Sequence, residues 1–284
     1  MRMKCFKFRL IALVTTLFVI NTEQVAASNR CTPASTYSSH TGVSAANSAN
    51  GYCFQTPQEM NVKIYEFGLC KSAASPGDKR NCEAIYNSQA GKSFNLSVGS
   101  VASLLSAVNL PEGTYTHGYV VISNVTSIKT VISFAQARTD DRGNVGTVCF
   151  TDGRSIDNSN SIISCGADDD TALPSFETIG LVGPNNSYAN TEMNYTVVMN
   201  GETVVSDLYM LDSAGSLSNG AANDFAIFGS QRLQSPVVIS PNTQQLDIGF
   251  TITDGVSIGF ANQGGGGTPI DAVFEGIRFR FSAK

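Results

Sequence analysis

The chain has 284 residues, 42% of them hydrophobic and only 14% charged, with a formal net charge of −5. An acidic chain without a basic cluster argues against binding phosphate backbones. Low charge with plentiful Ser, Thr, Asn and Gly suits a neutral-polar exported surface better than a charged disordered tail.

In chain order, the first feature is MRMKCFKFRLIALVTTLFVINTEQVAASNR. Arg2, Lys4, Lys7 and Arg9 precede the apolar run Leu10–Ile20, and Val25-Ala26-Ala27 places small residues where signal peptidase cuts. The pattern predicts a secretory signal peptide cleaved after Ala27. An apolar run of 11 residues is too short for a bilayer, which needs roughly 20. The first 27 residues hold four of the 18 Lys and Arg and one of the 23 Asp and Glu, so cleavage leaves 14 basic against 22 acidic side chains, a net −8. Cys5 leaves with the signal. Cys31, Cys53, Cys70, Cys82, Cys149 and Cys165 remain. Six cysteines in an exported chain suggest disulfides, with 15 possible connectivities. Each successive pair encloses a polar stretch, which favours Cys31–Cys53, Cys70–Cys82 and Cys149–Cys165. No C-x-x-C or Cys/His cluster supports zinc.

Residues 28–57 lack apolar periodicity and read as an irregular, disulfide-tethered segment. MNVKIYEFGLC then places Val62 and Ile64 on one face and Tyr65, Phe67 and Leu69 on the other, as in a strand covered on both sides. After the Pro76-Gly77-Asp78 turn come the short strand candidates EAIYN and KSFNLSV. Val101, Leu104, Leu105 and Val108 fall on one helical face and predict a short helix near 99–108. LPEGTYTHGYVVIS follows as a turn and a strand, with IKTVISFAQA expected to pair with it. The remainder is a series of short β-branched and aromatic runs broken by Gly and Asn, which indicates a sandwich or barrel. These strands are too short and irregular for an outer-membrane barrel. A soft boundary lies at 166–192, which suggests two β modules, with one large sandwich as the alternative.

Little chemistry stands out. GVSIG at 255–259 matches G-x-S-x-G, but neither a helix nor a histidine follows Ser257, so the motif reads as a Gly-flanked strand. The two histidines are His40, in a polar loop, and His117, which alternates with Tyr115 and Tyr119. His117 reads as scaffold, a polar-tipped ring beside its tyrosines, and not as a base or metal ligand. Asp140-Asp141, Asp152, Asp157 and Asp168-Asp169-Asp170 lack EF-hand spacing and read as solvated loops. The absence of tryptophan weakens a sugar-binding reading, although Tyr52, Tyr65, Tyr86, Tyr115, Tyr119 and Tyr188 could serve as docking faces.

The strand MNVKIYEFGLC, the segment KSFNLSVGSVASLLSAVNL and above all LPEGTYTHGYVVIS carry a resemblance. Residues 60–134 resemble a family of bacterial exported domains of unknown function with a transthyretin-like (prealbumin-like) β-sandwich. Members share the order leader strand, short helix, Leu-Pro-x-Gly-x-Tyr-Thr, strand. The resemblance implies a fold and no catalytic residues. The Cys70/Cys82 insertion and the long C-terminal half depart from it.

The expectation is an all-β protein of one or two antiparallel β-sandwich modules with one short helix near 99–108. Its parts are the signal peptide at 1–27, the irregular segment at 28–57, a transthyretin-like sandwich at 58–165, a linker or loop at 166–192 and a C-terminal β module at 193–284. The six cysteines are its only predicted site residues, with no catalytic residue, metal or cofactor. The expected role is a non-enzymatic surface or matrix component of a bacterial envelope, exported to the periplasm, the cell surface or the exterior. Its partner would be a protein, a surface polymer or another copy, not nucleic acid, and no membrane span would remain after cleavage. The alternatives are a subunit of an extracellular fibre or adhesin and a carboxylate-dependent hydrolase.

Overall fold

The computed structural model describes residues 30–35, 51–98, 110–140, 142–153, 163–167, 174–180, 193–199, 202–219, 223–260, 269–274 and 277–283. The predicted signal peptide, the helix near 99–108, His40, Asp141, Asp157, Asp168-Asp169-Asp170 and Tyr188 lie outside them. The described chain is antiparallel β-structure with no α-helix among the described residues. The strands are the β-branched and aromatic runs, separated by Gly, Asn and Asp turns, as local propensity dictates.

The principal sheet has eight strands. Its members are β2 (Glu59–Cys70), β3 (Cys82–Ser97), β4 (Gly113–Ser123), β5 (Val125–Lys129), β9 (Glu177–Gly180), β10 (Met193–Met199), β11 (Glu202–Leu211) and β12 (Ala226–Ile239). The order is β10-β11-β12-β4-β2-β5-β9, with β3 also paired to β2. Three smaller sheets accompany it. One joins β1 (Gly51–Gln55), β14 (Val256–Phe260) and β15 (Pro269–Phe274); another joins β13 (Leu246–Thr251) and β16 (Arg278–Ala283). The third joins β6 (Val131–Thr139), β7 (Val145–Thr151) and β8 (Ile163–Ala167).

β4 joins β12 from Ala226↔Ser123 to Ile239↔Gly113, so strands from both sides of 166–192 share one sheet. Two expectations are corrected by the pairing. β1 lies inside the segment expected to be irregular and pairs with β14 through Cys53↔Ile258. β4 takes β2 and β12 as neighbours and not the 128–137 run, whose β6 pairs with β7. Local pattern sets where a strand forms; it carries no information on which distant edge completes its hydrogen bonds.

A β-bulge organises β2. Its register against β4 slips between Ile64↔Ile122 and Glu66↔Val121, so Tyr65 is an extra residue. The slip reverses the alternation. Met60, Val62 and Ile64 and then Phe67 and Leu69 all join the main core, against the expected division between two faces. That core packs the sheets together: Phe67 of the large sheet meets Phe250 of β13 edge-on at 6.1 Å between ring centroids, and Phe134 of β6 meets Phe260 of β14, both in smaller sheets, at 6.0 Å. Full burial of each such side chain contributes about 1.5–3 kcal/mol.

Three disulfides join neighbours in sequence: Cys31–Cys53, Cys70–Cys82 and Cys149–Cys165. The last two link directly opposed residues of adjacent strands. The first ties Cys31 beside β1, where the Cys31 amide also donates to the Phe54 carbonyl, the Ala135 amide donates to the Pro33 carbonyl, and Arg30 pairs with the buried Asp254 at 2.8 Å. The described N-terminal residues are therefore bonded to their own core.

Candidate functional site

The second, smaller hydrophobic cluster lies on the sheet face opposite the main core. It contains Cys70, Ala74, Tyr119, Leu211, Ala226 and Phe228, with Tyr65, Val121 and Tyr209 packed against it. Val120 and Ile122 belong to the main core, so strand alternation puts His117, Tyr119 and Val121 on this outer face. Cross-strand partners share a face. Ser230 therefore stands beside Tyr119, and Arg232 and Cys70 flank His117.

His117 is half-buried. Its Nδ1 lies 2.9 Å from the Thr116 hydroxyl. Burial lowers its proton affinity, the Arg232 charge lowers it further, and Asp207 opposes both. Tyr119 is on the same face, but Tyr115 packs into the main core and donates a 2.8 Å hydrogen bond to the Pro111 carbonyl. The β4–β12 register breaks between Arg232 and Val237, which separates the environments of the two tyrosines. His117 thus has one of its two expected tyrosine neighbours beside it.

The loop closed by Cys70–Cys82 covers part of this face. The Ala74 amide donates to the Ser230 hydroxyl at 3.0 Å, and Ala74 is buried. Lys79 donates to both oxygens of Glu66 at 2.8 and 2.9 Å, and its ammonium lies 5.6 Å from the Tyr119 ring centroid. Tyr119 donates to Glu66 at 2.7 Å. Gly68 faces the same way, where a Cβ would overlap the Glu83 carbonyl and the Tyr119 ring. The covered part is packed scaffold.

The uncovered end differs. Residues 212–225 connect β11 to β12, far longer than the 2–5 residues, roughly, of ordinary hairpins. Asp212 Oδ1 accepts from the Ala214 and Ser216 amides at 2.9 Å each and shapes the first turn. At the other end the Phe225 amide donates to the Leu211 carbonyl, and Asn124 donates from its side chain to the Asp224 carbonyl at 2.9 Å. Between these anchors lies a cleft of about 480 Å³ lined by Asp212, Ser213, Asn219, Asn223, Asp224 and Phe225. Phe225 is 41% exposed and rests on Tyr65 with centroids 5.2 Å apart. The bulge in β2 is what delivers Tyr65 to that position. Sequence reading marked Tyr65 as an aromatic candidate and missed 212–225; its length between two strand-like runs was the available signal.

The other sequence candidates are structural. Asp140 is 3% exposed, not solvated. It accepts from the Arg142, Asn144 and Cys165 amides and from the Asn144 side chain. Burial alone would raise its pKa, but these bonds, led by Asn144, hold it below the ordinary value. Asp152 accepts from Ser164 at 2.8 Å. Ser257 is mid-strand in β14, opposite Phe54 and Val273, and 1% exposed. Among the described residues no group of three or more His, Cys, Asp or Glu could hold a metal, and no helix is long and apolar enough to cross a membrane.

No protein-family model, curated protein or solved structure matches the chain.

Proposed function

We propose that this protein is an exported, non-enzymatic β-sandwich of a bacterial envelope that binds a surface or matrix partner. The observation that carries the binding role is the 212–225 connection, which is anchored at both ends and whose described residues line an open polar cleft where a short turn would suffice to join β11 to β12. Long connections on a rigid scaffold commonly carry function. Three disulfides support an oxidising, exported setting. His117, set between Arg232 and Cys70 with the Thr116 hydroxyl at its Nδ1 and no carboxylate hydrogen-bonded to it among the described residues, supports scaffold over catalysis.

Assembly into fibres by donation of the N-terminal segment is the weaker reading, since Cys31, Pro33 and β1 are bonded within their own chain. Fractionation of producing cells, N-terminal sequencing and solution mass across concentration test the proposal together. The expected result is an exported chain starting near Ser28, retained on envelope material, with a constant mass. A cytosolic chain starting at Met1 would overturn export, and mass growing with concentration would favour the fibre.

A further inference from the structure

We propose that the cleft lined by Asp212, Ser213, Asn219, Asn223, Asp224 and Phe225 is a binding site for a neutral saccharide. This rests on the binding role proposed above and names its ligand class.

The volume comes first. About 480 Å³ lies within the range of small-molecule sites, roughly 300–1,000 Å³. Such sites are usually apolar, and this one is not. Among the six described residues that line it, five are Asp, Asn or Ser. A ligand that replaces water here must return hydrogen bonds, or the polar groups are left unmet at a cost. An apolar ligand cannot do so, and a ligand bearing several hydroxyls can.

The protein's own bonds leave capacity for that exchange. Asn223 Nδ2 donates to Asn219 Oδ1 at 2.7 Å. Asn223 Oδ1 remains as an acceptor and Asn219 Nδ2 as a donor. Asp212 uses Oδ1 for its turn, which leaves Oδ2. Acceptors and donors side by side match the mixed character of hydroxyl groups.

Charge narrows the class. Among its described lining residues, Asp212 and Asp224 are carboxylates and none is a cation, which disfavours phosphorylated, sulfated or uronic ligands. The aromatic wall adds the second half of the recognition. Phe225 is exposed at the cleft, and Tyr65 supports it from beneath. A sugar ring presents C–H groups on one face and hydroxyls at its rim, which suits a phenyl wall beside amides and carboxylates. Bulges recur where a side chain is re-aimed next to a functional site, and the β2 bulge brings Tyr65 under Phe225.

The test is an amide NMR titration of the intact oxidised protein with maltotriose, cellotriose and chitotriose, alongside trigalacturonate and calcium chloride. At least one neutral trisaccharide should shift the amides of 212–219 and 223–225, with trigalacturonate leaving them in place. Asn223→Leu and Phe225→Ala should each weaken that binding about tenfold or more. If Phe225→Ala disturbs the fold, Asn223→Leu alone decides, because Asn223 is exposed and its side chain bonds to Asn219. Three results would overturn the inference: no neutral sugar acting at about 10 mM, trigalacturonate binding more tightly than the neutral sugars, or calcium shifting these amides while the sugars do not. None of these outcomes touches export or envelope retention, so a failed sugar site and a failed binding role are separable.

Discussion

Tyr119 donates a 2.7 Å hydrogen bond to Glu66 across the β2–β4 pair, and Lys79 closes on the same carboxylate from the disulfide loop above. One acidic side chain thereby joins two strands of the sheet to their cover. Burial first, and the Glu66 hydrogen bond second, push the Tyr119 hydroxyl far above its ordinary value of 10.0.

The sign of that shift sets an alkaline prediction. A raised folded pKa gives stability that is complete below the unfolded value and is lost as pH rises through and beyond it. Stability should therefore fall above about pH 10, and Tyr119→Phe should remove that part of the slope. Glu66→Ala leaves the Tyr119 hydroxyl without its acceptor and should cost about 1–3 kcal/mol at neutral pH. Urea unfolding of both variants at neutral and alkaline pH provides the check; identical slopes in wild type and Tyr119→Phe would refute the linkage.

The Cys70–Cys82 bond holds the loop that carries Lys79, Ala74 and their contacts. Replacing both cysteines with serine should destabilise the protein by about 3 kcal/mol in the chain-entropy model. Local opening should be the more specific sign. Lys71, Lys79 and Arg80 offer tryptic sites within the loop, and limited trypsinolysis should cut there first in the double variant. Cleavage equally slow in both proteins would show that packing, and not the disulfide, holds the loop closed.

Much of the local structure was legible because it depends on nearby residues. LPEGTYTHGYVVIS reads as a turn and strand, and the chain forms β4 there. The cysteines pair with their neighbours in sequence because each pair brackets one connection or hairpin. What stayed hidden depends on distance or on one residue's phase. Nothing near Tyr119 announces that Ser230 lies beside it. Nothing in KIYEF announces that Tyr65 is extra, yet this slip puts Phe67 in the main core and Tyr65 beneath Phe225. The cleft was illegible for the same reason: its aromatic support comes from a strand far away in sequence.

His117 makes an acid-side prediction. Its folded pKa is lowered, by burial first and Arg232 second. As pH falls below about 6.5, the unfolded chain takes up the proton before the folded one, so stability declines until the folded pKa is passed. His117→Gln should change stability only modestly at neutral pH and flatten this decline. Thermal unfolding from pH 7 to pH 5, about the window where the histidine titrates, distinguishes the outcomes. A variant that keeps the full decline would assign it to other groups.

Asp140 acts in a lower window. Its depressed pKa means stability that is present above the unfolded value, about 3.9, and lost as pH falls toward the folded one. Asp140→Asn exchanges a carboxylate that accepts four hydrogen bonds for an amide, and should cost about 1–3 kcal/mol at pH 7. The gap to wild type should narrow steadily below about pH 4. A gap that stays constant with pH would show that shape and not charge matters at this position.

Ser257 supplies the sharpest test of the scaffold reading of GVSIG. A nucleophilic serine would sit on an exposed turn beside a base. Ser257 is instead 1% exposed within β14, and its hydroxyl oxygen is buried without a hydrogen-bond partner among the described residues. A buried hydroxyl with no partner costs free energy relative to an alanine of similar shape. Ser257→Ala should therefore be neutral or stabilising, with a Tm equal to or above that of wild type, and retention on envelope material should not change. Any esterase activity of the purified protein that disappeared in this variant, with the fold intact, would identify Ser257 as a nucleophile and overturn the scaffold reading of GVSIG.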